Sequence, residues 1–195
     1  MTKFESIVGE ASNRTREAWV DEVLHFWFDE LTADQWWCKD DALDARIRTR
    51  FLSLYEDVAS RPGIAIAEPR VALATAIVLD QFPRNMFRGD PRAYATDAQA
   101  RAVAKAAIAA GQDRALPKNE RVFLYMPLQH SEDAADQRLA VELVSTLGNE
   151  EWTRYGLAHQ RIIERFGRFP HRNAILGRES TSEEIASLDD PMGKF

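Results

Sequence analysis

Residues 71–89 read VALATAIVLDQFPRNMFRG, and this stretch decides the fold class. Val71, Ala74, Ile77 and Val78 recur at the three- and four-residue spacing that gives a helix one buried face. Glu68 precedes them, and Pro69 falls in the first turn, where its missing N–H would have had no helical partner anyway. Phe82 and Pro83 predict the end of the helix, because proline disfavours helical geometry in the residue before it. The pattern has the period of a helix and not the period of a strand.

The same period runs outward in both directions. Trp19, Val20, Val23, Leu24, Trp27 and Phe28 predict a helix over 16–28, followed by a turn through Thr32 and Asp34. A second helix is expected over 40–60, with Leu43, Ile47, Phe51, Leu54 and Val58 on one face and Arg61, Pro62 and Gly63 as its stop. After a loop at Asp90 and Pro91, Thr96 or Asp97 caps an alanine-rich helix ending at Gly111. Pro117 starts the next helix, over 120–130, with Pro127 inside it to kink the axis. Helices over 133–147, 150–166 and 182–188 complete the chain, the last opened by Ser180 with Glu183 or Thr181 with Glu184 as a capping box. No bounded alternation of apolar and polar residues suggests a strand. The expected fold is all-α, antiparallel helical hairpins without a sheet, in one helical domain over 1–195 whose first 15 residues fray.

Composition narrows the function. Apolar residues make up 45% of the chain and charged residues 29%, the balance of a globular protein. A formal charge of −6 excludes a general nucleic-acid binder, which needs a basic face. No apolar run reaches membrane-spanning length, no signal peptide is legible, and Cys38 is the single cysteine, so a cytoplasmic location without membrane attachment is expected. Arginine far outnumbers lysine, and residues 154–178 hold six arginines against one acid, Glu164. Arginine presents a fork suited to bidentate carboxylate or phosphate binding.

Two helices end in nearly the same phrase. One is Phe82-Pro83-Arg84-Asn85 with Gly89 four residues on; the other is Phe169-Pro170-His171-Arg172-Asn173 with Gly177 four residues on. Each proline stops a helix, each Phe packs back, and each asparagine tolerates a turn. Two matched breaks would leave Arg–Asn pairs in fixed places. The structural alternative is that the arginines only tie down neighbouring carbonyls and carboxylates.

Three long phrases, taken in order, resemble the bacterial family called domain of unknown function 924. They are residues 79–85 with Arg88 and Gly89, residues 120–128 with His130, Ser131 and Glu132, and residues 165–173 with Gly177 and Arg178. The resemblance runs from about Trp19 to the C-terminus, where Pro191-Met192-Gly193-Lys194-Phe195 departs from the family's small-residue ending. It implies a right-handed α-α superhelix similar to tetratricopeptide repeat proteins, and it implies no catalytic residues.

The candidate site joins these segments: Gln81, Arg84, Asn85 and Arg88; Glu120, His130, Ser131 and Glu132; Arg165, Arg168, His171, Arg172 and Asn173. Converging guanidinium groups would hold a small anionic molecule, phosphate- or carboxylate-bearing, and His130, His171 or Glu132 would move a proton. The alternative is a tetratricopeptide-like scaffold for a peptide partner, with Asp80, Glu120 and Glu132 neutralising the arginines in a structural network. Glu22 and His25 share a di-iron helix spacing, but no second copy follows, and His25 reads as half-buried core. Cys38 reads as packing. No phosphate loop, nucleophile elbow or zinc spacing is present, so neither metal nor cofactor is expected.

Overall fold

The computed structural model describes residues 18–61 and 68–189. Helix α1, residues 18–25, runs into a π turn, Phe26–Glu30, and a 3-10 turn, Ala33–Trp36, follows. Next come α2 (Asp41–Ala59), α3 (Pro69–Ala76), a second π turn (Ile77–Gln81) and α4 (Phe82–Met86). A 3-10 turn, Pro91–Tyr94, precedes α5 (Asp97–Ala109), and another, Gln112–Ala115, precedes α6 (Lys118–Gln129). The chain continues with α7 (Ala134–Ser145), α8 (Glu150–Phe166), a 3-10 turn (Pro170–Arg172) and α9 (Ser182–Ser187). No strand occurs among the described residues. The predicted frayed start over 1–15, the Pro62-Gly63 stop and the tail over 191–195 lie outside them.

Apolar stripes explain the packing. Helix α2 buries Leu43, Ile47, Phe51, Tyr55 and Val58 and lies on α4; α3 lies on α5 and α6, α6 on α7, and α7 on α8. Aromatic rings join these contacts: Phe51 packs against Phe26 at 4.9 Å and Phe82 at 4.7 Å, and Trp27 meets Phe123 edge-on at 5.5 Å. Caps set the helix starts where the sequence suggested. Asp40 accepts from the N–H groups of Ala42 and Leu43, Asp133 from those of Ala135 and Asp136, and Thr181 with Glu184 forms the capping box of α9. No described helix is long and apolar enough to cross a membrane.

The break expected at Phe82-Pro83 is not there. The chain stays helical to Met86, because a π turn precedes the proline: the Phe82 N–H reaches five residues back to the Ile77 carbonyl. Pro83 has no N–H to offer the Leu79 carbonyl, and the Thr96 hydroxyl donates to it instead, at 2.6 Å. Thr96 is therefore spent on that carbonyl and does not cap α5. The second phrase is a true stop. Gly167 adopts φ 67°, its N–H closes α8 on the Ile163 carbonyl, and Pro170–Arg172 form a 3-10 turn beyond it.

Two smaller expectations are also overturned. His25 is exposed, bonded to Asp29 one turn on, because α1 turns Val20, Val23, Leu24 and Trp27 inward instead. Cys38 is exposed as well, in the turn after Trp37.

Candidate functional site

A cavity of about 350 Å³ opens where six segments meet. The turn after α1 brings Trp36, Trp37, Cys38 and Lys39. The π turn, α4 and the turn after it bring Gln81, Arg84, Asn85 and Arg88. Met126 and His130 come from the end of α6, His159 from α8, and His171 and Arg172 from the 3-10 turn after Gly167. Tyr94 and Ile175 close the wall. Among the described residues lining it are four cationic side chains, three histidines and no carboxylate.

The carboxylates stand one layer behind. Asp80 is fully buried and receives His130 Nδ1 at 2.9 Å, Gln81 Nε2 at 2.6 Å and the Arg84 guanidinium at 3.2 Å. Burial would raise its carboxyl, but the Arg84 charge, then His130, hold it well below the usual carboxylate range. Asp97 accepts both terminal nitrogens of Arg84, at 2.9 and 3.0 Å. Asp44 accepts Arg88 twice and also Asn85.

Arg172 is differently placed. It is 5% exposed, and its one side-chain hydrogen bond among the described residues runs 3.4 Å to the Asp97 oxygen that Arg84 already uses. Its Nε is sealed and has no partner among the described residues, and Nη2, which is not sealed, makes no hydrogen bond among them either. The guanidinium lies over the rings of Phe169, at 4.4 Å, and Tyr94, at 4.7 Å, which fix its plane without supplying an acceptor. Burial, and then repulsion by Arg84, lower its pKa from the ordinary guanidinium value.

The three histidines lining the cavity are all shifted toward the neutral form. Burial pushes His159 down to about 3, with His130 adding to the shift, and burial with Arg172 pushes His171 down to about 4. Burial, and then the Arg84 charge, also lower His130, against the pull of Asp80. Since an ionised carboxylate only accepts, the Asp80 contact places the His130 proton on Nδ1 and leaves Nε2 with its lone pair.

The residues singled out in the sequence divide into two sets. Gln81, Arg84, Asn85, Arg88, His130, His171 and Arg172 line the cavity. The remaining six do not. Glu132 accepts two bonds from Arg178 and one from the Phe169 N–H, and Asn173 bonds Ser180 and Arg178. Together they clamp the segment that carries His171 and Arg172. Arg168 pairs with Glu184 and Arg165 with Glu183. Ser131 donates to Asp136 and accepts from Arg101, tying the α6–α7 corner. Glu120 sits near Arg70 and Asp29, its carboxyl raised by burial.

Several lining residues were missed. His159 had a signal: it shares the buried face of α8 with Gly156 and Ile163, where a polar side chain stands out. Trp36 and Trp37 gave less warning. Trp36 donates its indole N–H to the Trp27 carbonyl, freed by the first π turn, and Trp37 stacks on Phe123 with 12° between planes. Neither π turn is legible from periodicity.

Fold and site together define an all-helical protein with a buried cationic cavity. The chain belongs to the family of bacterial proteins of unknown function called DUF924, whose family model matches residues 23–192. A solved structure of a protein of unknown function from Agrobacterium tumefaciens is similar to it, at 40% identity and a TM-score of 0.84, over 89% of this chain and 98% of that one. No curated protein matches.

Proposed function

We propose that the protein binds a small molecule through a carboxylate or phosphate group at Arg172. The observation that carries this reading is the Nη2 end of a buried, charged guanidinium, unpaired among the described residues and not sealed from a cavity whose described lining holds no acid. A donor of a buried charged group that lacks an acceptor costs about 1–3 kcal/mol or more, and an anion beside Nη2 would remove that cost. Arg84 and Arg88 have their carboxylates already; they add positive potential and leave Arg172 as the main ligand contact. Trp36, Trp37, Met126 and Ile175 offer apolar surface for the rest of the molecule, and Trp37 is 48% exposed at the mouth. Neither a membrane nor nucleic acid is needed, and a cytoplasmic metabolite is the natural class.

Thermal unfolding tests the proposal. Sodium phosphate or sodium succinate should raise the Tm of the wild-type protein above that in sodium chloride of equal ionic strength. Arg172→Met, which keeps the length of the side chain, should abolish that rise. Equal Tm in all three salts would refute anion binding.

A further inference from the structure

Asp80 and His130 form a pair whose geometry goes beyond binding. The carboxylate is fully buried, lies 2.9 Å from Nδ1, and is fixed from its other sides by Gln81 and Arg84. The ring lines the cavity, and Nε2 has no hydrogen-bond partner among the described residues although it is not sealed from solvent. A carboxylate holding Nδ1–H so that Nε2 can take a proton is the arrangement of a histidine general base.

We propose that Asp80 and His130 act as a general-base pair that hydrolyses a small carboxylic ester whose separate anionic group is held at Arg172. The proposal rests on the anion-binding reading above. Three features select the reaction. Among the described residues no serine or threonine lines the cavity, and Cys38 is exposed, so water is taken as the nucleophile. Attack of water on an acyl carbon needs its proton removed as the C–O bond forms, whereas phosphoryl transfer from a monoester depends chiefly on charge and positioning. No carboxylic acid stands in the wall among the described residues, and the imidazole that took the proton is placed to return it to the leaving group.

The step balances on that basis. Nε2 takes one proton from water as the water oxygen bonds to the acyl carbon and the carbonyl electron pair moves onto its oxygen, beside the positive charge of Arg84. The carbonyl re-forms, the bond to the alcohol oxygen breaks, and the Nε2 proton passes to that oxygen. One ester and one water give one acid and one alcohol. His130 is the catalytic residue, and Asp80 is a positioning residue acting through it. The charged and titratable groups around the ring are Asp80 and Arg84 from the π turn and α4, His159 from α8, and His171 and Arg172 from the 3-10 turn.

The probe is 4-nitrophenyl hydrogen succinate, an ester with a free carboxylate. Wild-type protein should release 4-nitrophenolate with saturation, and His130→Gln should lower kcat at least 100-fold. The acidic limb of kcat/KM should fall below pH 6.5, the ordinary imidazole value. Asp80→Asn should lower kcat with little change in KM and move that limb further down; Arg172→Met should raise KM instead. If Asp80→Asn fails to fold, His130→Gln and the wild-type pH profile still decide. Release unaffected by His130→Gln, or no release above buffer, overturns the proposal. A succinate-dependent rise in Tm without hydrolysis rejects the base and leaves the anion site standing; absence of both rejects both.

Discussion

Arg84 and Arg172, from the two proline phrases, share a single carboxylate, Asp97. The sharing is unequal: Arg84 makes two short bonds to Asp97 and also reaches Asp80, while Arg172 makes one long bond. Their substitution should therefore have opposite characters. Arg84→Met strips a fully buried aspartate of its cation and should cost about 3–5 kcal/mol by urea unfolding. Arg172→Met removes a buried charge with little internal compensation and should leave the ligand-free stability within about 1 kcal/mol of wild type. Equal losses at both positions would mean that Arg172 belongs to the structural network.

Thr96 replaces the hydrogen bond that Pro83 cannot make to Leu79. Thr96→Val keeps the shape of the side chain and leaves that buried carbonyl unpaired. The loss should be about 1–3 kcal/mol, measured as a lower urea midpoint with an unchanged m-value. An unaffected midpoint would show that the π turn does not depend on the hydroxyl.

Gly156 lies inside α8, where glycine costs about 1 kcal/mol relative to alanine. A Cβ there would come 3.6 Å from the Val141 side chain, an ordinary contact. Gly156→Ala should raise stability by about 0.5–1 kcal/mol, and a decrease would mean that α7 and α8 pack more closely than described.

Acid should unfold the protein earlier than carboxylates alone explain. His159 and His171 have folded values of about 3 and about 4, below the ordinary 6.5 that the unfolded chain regains. Between those values the unfolded state binds protons that the folded state refuses, so their penalty is absent above pH 6.5 and grows as pH falls. Well below 6.5 each such group contributes a slope of about 1.4 kcal/mol per pH unit until its folded value is reached. The depressed Asp80 carboxyl adds to the loss only below its ordinary value of 3.8. Urea unfolding at pH 7, 6 and 5 should show the decline, and His159→Gln should flatten it. A curve level down to pH 5 would contradict the burial of neutral histidines.

Helical periodicity made the fold class and most helix starts readable, since each depends on a local pattern of apolar faces and caps. Pro83 misled because its effect depends on a hydroxyl thirteen residues away, and no local rule marks a π turn. The site was half legible for a similar reason. Arg84, His130 and Arg172 lie in conspicuous phrases, but whether an arginine faces empty volume or a carboxylate is a tertiary property. Arg165 and Arg168 look equivalent in sequence and pair instead with Glu183 and Glu184, which α9 brings up from the C-terminal side. Glu132 and Asn173 stand in the same phrases as the cavity residues, but they build the loop that carries Arg172.

The Nε–H group of Arg172 can be observed directly by 15N–1H correlation NMR, assigned through its loss in Arg172→Met. Titration with sodium phosphate should move that resonance progressively to a plateau, while sodium chloride of equal ionic strength leaves it in place. A resonance indifferent to phosphate, succinate and chloride alike would contradict the central claim that this guanidinium is kept for an anion.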